Sequence, residues 1–354
     1  MSNKKVRIKD IAERAGLSVG TVDRVIHGRT NVSKASYEIV KKVLEEMNYE
    51  PNYVASALAS NKTYNFCAIL PMYEKDSYWA RVEQGLHQGV TFFKDFKINF
   101  NVFTYDPFND NTFREQFTKL IDSEPFAVFI APILNGNIMR EFVNQLKEKE
   151  IPFGLLDSNW PEFEPMCFYG QNSTKSGEFS ARVLLMSAGG HPKELCIFKV
   201  MGEGRIATRQ QLKREEGFKN YVKTHCPDCE IKELQLFAYD KEGMKTSMRE
   251  FFTKNKNIEC GITFNSTIYI IAEFLNKNMP DYDIRLLGYD TVGNNVECLK
   301  NGTVDFIVAQ HAKRQGYNCF RNIFNQCVMH RKQQQIHYVP IELLMKENVD
   351  FYED

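Results

Sequence analysis

A set of polar and aromatic side chains follows the predicted ends of apolar runs in the larger part of this 354-residue chain. Carboxylates and amides exchange hydrogen bonds with hydroxyl pairs, a guanidinium binds a diol or a carboxylate as a fork, and an aromatic ring stacks on a sugar face. The residue types therefore predict a site for a polyol. The candidate residues after such runs are Ser77, Tyr78, Trp79, Asp157, Asn265, Asp290 and Gln310, and Arg214 joins them from the R-x-x-G-F run of a helix-length segment. Any one of them alone equally fits an ordinary loop cap, so the prediction depends on the whole set.

These residues need a scaffold that brings strand ends together. Apolar runs alternate with helix-length segments such as 80–93, 110–122 and 138–149, which indicates βαβ units on a parallel sheet. After a crossing near 169–180 the alternation starts again. Because ligands on open parallel sheets bind outside the carboxyl ends of the strands, we expect the candidate residues to line one cleft. The runs are CAILP (67–71), FNVFTY (100–105), AVFIAPIL (127–134), PFGLLD (152–157), LCIFKV (195–200), KELQLFAY (232–239), CGITFN (260–265), RLLGYD (285–290) and FIVAQ (306–310).

The first 50 residues predict three short helices. Residues 9–15 form the first helix, and Ser18 is placed to cap the second, 19–27, by accepting a backbone N–H. On the second helix four residues face outward: Val19, Gly20, Asp23 and Arg24. Ser33 caps the third helix, whose apolar face is formed by Ile39, Val40, Val43, Leu44 and Met47. This shape fits a helix-turn-helix that reads DNA, but it also fits any three-helix packing module.

The charge of the chain is unevenly divided. Residues 1–62 hold 11 Lys and Arg against 7 Asp and Glu, whereas the remaining residues hold 34 against 38. A basic head on an acidic body suits a protein whose head alone meets a phosphate backbone.

Composition also limits the location of the protein. No apolar segment typical of a secretory signal follows the N-terminal MSNKKVRIKD, and no run of 18 apolar residues predicts a membrane span. Nine cysteines without regular spacing indicate buried thiols in a reducing compartment. We therefore expect a cytoplasmic protein with no membrane partner.

Three other patterns could carry chemistry. Residues 202–207 scan as G-x-G-x-x-A, a dinucleotide fingerprint, but a glutamate would face the pyrophosphate and no acid ends a strand about 20 residues later. Cys226 and Cys229 form a lone C-x-x-C, which fits a helix-to-strand loop better than a metal or redox site. His191 and His311 have no evident partner. We expect no catalytic residues, no metal and no cofactor.

The sequence motifs of the first 60 residues are more specific than the predicted three-helix shape. The run D-I-A-E-x-A-G-x-S-x-x-T-V-x-R-V, then N-V-S, then N-Y-x-P-N-x-x-A-x-x-L-A, resembles the lac-repressor family of bacterial transcription regulators. The resemblance implies that the second helix enters the major groove, with Val19, Gly20 and Arg24 at base edges. It also implies phosphate contacts, made by Ser18, Thr21, Ser33 and Ser36. Two departures stand out: Asp23 replaces a small hydroxyl residue, and Gly20 has no side chain to read a base.

The same resemblance implies a hinge helix over residues 52–60, which includes Asn52 and Ala55. In that family two hinge helices pair in a homodimer and wedge a leucine, here Leu58, into a minor-groove step. A nine-residue helix is too short to persist alone in water, so it should form only with DNA and the partner. A distant ligand could then control DNA affinity.

The body resembles the type I periplasmic sugar-binding fold, which the lac-repressor family also carries. The expected fold is therefore an all-α helix-turn-helix head plus an α/β core of two doubly wound parallel-sheet lobes. We assign 1–50 to the head, 51–62 to the hinge and 63–354 to the body. Lobe one takes about 63–170 plus a crossover near 311–330, and lobe two about 171–310. We expect Arg214 to lie in the first helix of lobe two. The segment 331–354 returns across the lobes and shows no heptads, so a tetramerising coiled coil is not expected.

These observations predict a homodimeric transcription regulator that binds a pseudo-palindromic operator under the control of a carbohydrate-like effector. The effector's identity, the operator and the direction of control are not determined by the sequence. Two alternatives remain: a sugar-binding sensor whose head contacts only protein, and a nucleotide-fold enzyme built on 202–207.

Overall fold

A computed structural model describes residues 6–26, 30–47, 49, 54, 57–58, 62–107, 109–133, 135–201 and 208–354. The chain divides into two compact units, Met1–Asn61 and Lys62–Asp354, which we call the head and the body. No helix in these ranges is long and apolar enough to cross a bilayer.

The head contains three helices: α1 (Ile8–Ala15), α2 (Val19–Ile26) and α3 (Lys34–Glu46). Both predicted caps are confirmed, because the Ser18 and Ser33 hydroxyls accept hydrogen bonds from the Thr21 and Ser36 amides, each at 3.1 Å. Gly16 ends α1 in the left-handed conformation, with φ 66°. The apolar faces meet in one small core built on Ile11, Ala12, Val22, Val25, Val40 and Val43.

One residue of the predicted α3 face was assigned wrongly. Ile39 is 45% exposed, whereas Val40 and Val43 are buried. Each residue advances about 100° around a helix, so the face centred between Val40 and Val43 leaves Ile39 on its outer edge.

The body consists of two lobes, as predicted, each with a six-stranded sheet. The order in lobe one is β11-β5-β4-β3-β1-β2, and every neighbouring pair is parallel. Its elements are β1 (Thr63–Pro71), α4 (Tyr78–Phe92), β2 (Lys97–Tyr105), α5 (Asp110–Asp122), β3 (Ala127–Ile130), α6 (Gly136–Glu148), β4 (Phe153–Leu156), β5 (Cys167–Gly170), α12 (Ala312–Cys327) and β11 (Ile336–Tyr338).

Lobe two repeats this pattern with the order β12-β10-β9-β8-β6-β7, in which only the β10–β12 pair is antiparallel. Its elements are α7 (Ser173–Ser187), β6 (Glu194–Met201), α8 (Arg209–His225), β7 (Glu230–Phe237), α9 (Lys241–Lys254), β8 (Cys260–Ile262), α10 (Ile268–Asn278), β9 (Arg285–Tyr289), α11 (Gly293–Lys300), β10 (Phe306–Ala309) and β12 (Glu342–Leu344). Helices cover both faces of each sheet, which explains why the central strands are continuous apolar runs.

Three short strands were not anticipated. The crossing expected near 169–180 contains the end of β5 and the start of α7, and the returning C-terminal segment contributes β11 to one sheet and β12 to the other. These three strands pair with segments far along the chain, β5 with β11 and β12 with β10, so their own residues give little signal. The chain thus passes between the lobes three times, after β5, after β10 and between β11 and β12.

A close helix pair holds the site elements of lobe two. A Cβ at Gly177 on α7 would lie 1.9 Å from the Arg214 carbonyl oxygen on α8, and a Cβ at Gly217 would lie 2.1 Å from the Thr174 oxygen. Only glycine permits this backbone approach. The pair sets the position of α8, which carries Arg214 and Gln210. Because α7 precedes it, α8 is the second helix of this lobe, not the first as the sequence suggested.

Candidate functional site

The head presents the predicted reading residues on one exposed surface of α2. Val19 is 49% exposed, and Gly20 and Arg24 are also exposed, whereas Val22 and Val25 on the opposite side are buried. Asp23 is partly exposed. The helix therefore keeps an open face that suits insertion into a groove, which is the arrangement predicted for DNA reading.

The predicted phosphate contacts surround this face. The Ser18 and Thr21 hydroxyls lie 2.9 Å apart at the start of α2, and those of Ser33 and Ser36 lie 2.9 Å apart at the start of α3. Both pairs sit at helix N-termini, where backbone N–H groups favour an anion. Among the predicted hinge residues, Leu58 is 45% exposed, while Asn52 and Ala55 lie outside the described residues.

The body brings all eight predicted effector residues to one open cleft of about 820 Å³. Ser77, Tyr78 and Trp79 come from the start of α4, and Asp157 follows β4 on the same lobe. The other four come from lobe two: Arg214 on α8 and, after β8, β9 and β10, Asn265, Asp290 and Gln310. Strand ends from both lobes therefore form a single polar site, as expected of parallel sheets.

The two aspartates share an unusual backbone conformation. Asp157 directly follows β4 with φ 67°, and Asp290 directly follows β9 with φ 72°. Aspartate tolerates this left-handed region better than most residues, although it still costs about 1 kcal/mol. The sharp turn ends each strand at the cleft, so both buried carboxylates line it.

Asp157 is also a junction between the lobes. Its Oδ1 accepts hydrogen bonds from the Tyr78 hydroxyl, at 2.8 Å, and from the Gln210 amide of the other lobe. The same amide nitrogen donates to Gln310 Oε1 at 2.9 Å, and the Gln310 amide donates to Asp290 Oδ1 at 2.5 Å. A continuous hydrogen-bond chain thus links the two aspartates across the cleft.

Arg214 lies at the centre of this network and is fully buried. One terminal nitrogen donates to the Phe264 carbonyl at 3.1 Å and the other donates to Gln310 Oε1. The guanidinium also stacks on the Tyr289 ring, with 4.0 Å between its central carbon and the ring centroid. Its Nε has no hydrogen-bond partner within the described part of the body, which leaves a donor near the cleft.

Burial dominates the electrostatics of the cleft. It raises the pKa of Asp290 to about 7, although Arg214 and the hydrogen bond from Gln310 oppose the shift. Burial likewise raises the pKa of Asp157, opposed mainly by Arg214. The pKa of Tyr78 lies well above its usual value because of burial and then of the nearby aspartates. Arg214 therefore stabilises two carboxylates that would otherwise favour their protonated forms.

Several interlobe residues were not identified from the sequence. Gln210 bridges Asp157 and Gln310, and Arg81 on α4 donates to the Thr291 hydroxyl and carbonyl, both at 2.7 Å. Arg209 stacks over Trp160 at 3.9 Å and pairs with Glu162 at 2.9 Å. All lie within one turn of a strand end or a helix start. The sequence of a helix does not show which lobe a given side chain will contact.

The described residues of the other patterns form no catalytic or metal-binding arrangement. Cys226 ends α8 and Cys229 precedes β7, so the C-x-x-C forms the predicted helix-to-strand loop, and burial raises the pKa of the Cys229 thiol to about 12. No cluster of His, Cys, Asp and Glu among the described residues could hold a metal. The Nε2 of His311 lies 3.0 Å from a Glu342 carboxylate oxygen, but neither ring nitrogen forms a hydrogen bond of good geometry among the described residues. The G-x-G-x-x-A run at 202–207 lies outside the described residues.

Known families match both units. A model of the periplasmic binding protein domain matches residues 67–329, and a model of the lacI family of bacterial regulatory proteins matches residues 7–52. Catabolite control protein A of Staphylococcus xylosus is 29% identical over 154 residues, which is 44% of this chain and 44% of that protein. The chain thus matches less than half the length of this curated relative.

Two solved structures extend the comparison. A Bacteroides fragilis protein assigned as a LacI transcriptional regulator aligns with a TM-score of 0.78 and 37% identity, over 82% of this chain and all of that one. A solute-binding protein of Burkholderia graminis, in complex with D-arabinose, aligns with a TM-score of 0.71 and 15% identity, over 82% of this chain and 98% of that one. The second likeness concerns the fold alone.

Proposed function

We propose, on the premise that this chain belongs to the lacI family of bacterial regulatory proteins and carries a periplasmic binding protein domain, that it is an effector-controlled, sequence-specific DNA-binding regulator. One observation carries the proposal: the eight residues predicted to bind a sugar line a single cleft, in a chain whose head exposes the reading face of a helix-turn-helix.

The DNA contacts follow from the head. Val19 and Arg24 on the exposed face of α2 read base edges, while the serine and threonine hydroxyls at the starts of α2 and α3 hold phosphates. The hinge segment, residues 51–62, contacts the minor groove through Leu58, which acts as the wedge. Two copies bind a pseudo-palindromic operator as a homodimer, because each head reads one half-site.

The effector is a carbohydrate-like molecule held between the lobes. Asp157 and Asp290 accept hydrogen bonds from its hydroxyls, Asn265 and Gln310 both donate and accept, and Trp79 offers a ring face. The solute-binding protein of this fold with bound D-arabinose supports that chemistry. Because Gln210 and Arg81 already bridge the lobes, a ligand that replaces or adds to these bridges shifts the balance between open and closed forms.

Closure then acts on the hinge. A change in spacing between the two hinge attachment points of a dimer stabilises or melts the hinge helices and so alters operator affinity. An effector whose affinity differs between the two states by about 1–3 kcal/mol gives a 5- to 150-fold change in DNA binding. The protein acts in the cytoplasm without a membrane partner, and the cleft residues bind without catalysing a reaction.

The test uses the full chain and duplexes selected from a random library. Fluorescence anisotropy should show sequence-selective binding that weakens steeply as salt rises. A screen of monosaccharides by thermal shift should find a ligand, since binding at 100 times Kd adds about 2.7 kcal/mol of stability. That ligand should then change operator affinity. A sugar-binding sensor without a DNA function would bind the ligand but show no preference among duplexes.

A further inference from the structure

The charges of the cleft restrict its ligand more narrowly than the fold does. Among the described residues that line it, the charged side chains are three carboxylates and one guanidinium: Glu74, Asp157, Asp290 and Arg214. Glu74 is exposed at the rim, whereas the other three are buried. One guanidinium thus faces two buried carboxyl groups and a third at the entrance.

The Arg214 guanidinium already interacts with groups of the protein itself. Its two terminal nitrogens donate to the Phe264 carbonyl and to Gln310, and its flat face rests on Tyr289. Its charge also stabilises the ionised forms of Asp157 and Asp290. An incoming phosphate or carboxylate would compete with these two carboxylates for one guanidinium, and it would meet their charges where little water screens them.

The carboxylates suit neutral hydroxyl donors. A carboxylate offers about four lone-pair directions. Asp157 accepts hydrogen bonds from Tyr78, Gln210 and Ser158. Asp290 accepts one from Gln310, so each carboxylate keeps acceptor capacity. A hydroxyl donates a hydrogen bond to such an oxygen without bringing a charge.

Among the described residues, the nearest other cations are held by their own partners or line a different cavity. Arg209 and Lys213 line a separate cavity of about 550 Å³, and the Gln210 side chain borders both cavities. Arg209 is paired with Glu162 at 2.9 Å and Lys213 with Glu216 at 2.7 Å. Arg81 directs both terminal nitrogens to Thr291.

We propose that the cleft binds an uncharged, hydroxyl-rich ligand, a neutral monosaccharide or cyclic polyol, and that Asp157 and Asp290 exclude the phosphorylated and carboxylated forms of the same molecules. The inference rests on the proposed function, since it names the class of effector. Selectivity arises because the carboxylates repel a charged competitor, whereas the binding free energy of a neutral ligand is not reduced by this repulsion.

The experiment compares matched ligands on the full chain. Neutral aldoses, ketoses and cyclic polyols are titrated calorimetrically at pH 8 and low salt, each beside its monophosphate and its sugar acid. At least one neutral ligand should bind, and its charged partners should bind about 100-fold more weakly or not at all. A charged ligand that binds as tightly as its neutral partner, or more tightly, overturns the inference and leaves a carbohydrate effector in place. If no neutral sugar, sugar phosphate or sugar acid binds, both this inference and the proposed carbohydrate effector are wrong.

A paired substitution tests the cause. Asp157→Asn with Asp290→Asn keeps the side-chain shapes and removes both charges, so it should reduce the discrimination against the phosphate at least about tenfold. Glu74→Gln at the exposed rim should change it much less, because solvent screens that charge. Circular dichroism shows whether the double variant folds, and the single Asp157→Asn variant serves if it does not. Unchanged discrimination in a folded variant would overturn the assignment to these carboxylates.

Discussion

Replacing Asp290 by Asn should stabilise the ligand-free protein while weakening its effector response. The pKa of this buried carboxyl is about 7, against 3.8 for an ordinary aspartate. Between these values the folded state retains a proton that the unfolded chain has released, so the free energy of unfolding falls as pH rises from about 4 to 7. A shift of about three pKa units corresponds to about 4 kcal/mol at pH 8.

The Asp290→Asn variant avoids this loss. Asn tolerates the left-handed backbone at this position and can still accept the hydrogen bond from Gln310. It should therefore be more stable than the wild type at pH 8, by up to about 4 kcal/mol, and by less than half as much at pH 5. The value of about 4 kcal/mol is an upper limit, because the substitution also removes the favourable interaction between Asp290 and Arg214.

Urea denaturation of both proteins at pH 5 and pH 8 measures the effect. Asp281→Asn, on an exposed loop before β9, is the control and should show no pH-dependent difference. The Asp290→Asn variant should bind operator DNA normally and should need a higher effector concentration to respond, because an amide oxygen is a weaker acceptor than a carboxylate. Equal stability of variant and wild type at both pH values would refute the argument that this site holds an unfavourable buried charge.

Four further substitutions test other parts of the molecule. Gly177→Ala should destabilise the body by about 1–3 kcal/mol in urea, because its methyl group would overlap the α8 backbone. Gln210→Ala should cost about 1–3 kcal/mol in the same assay, since two buried acceptors lose a shared donor. Arg24→Ala should weaken specific operator binding by about 1–3 kcal/mol and relax base preference in anisotropy competition. Leu58→Ala should weaken specific binding far more than non-specific binding, and equal losses would contradict the wedge.

The sequence was sufficient for the architecture because the relevant signals are local. Apolar runs alternating with helix-length segments determine a βαβ sheet regardless of distant contacts, and hydroxyl caps such as Ser18 and Ser33 act within three residues. The short strands β5, β11 and β12 escaped prediction because they are held by partners far along the chain, as in the pairing of β5 with β11.

The candidate site likewise contains residues that the sequence predicts and residues that it does not. A polar residue directly after an apolar strand, such as Asp157 or Asp290, is predictable because parallel strands all end at one edge of a sheet. Gln210 was missed because its partner Asp157 lies 53 positions away on the other lobe.

Sequence by itself thus determined which residue types reach the cleft. Only the tertiary structure decided their charge state and their bonds across the lobes. Burial and the distance to Arg214 depend on how the lobes pack, and these quantities set the pKa of Asp290.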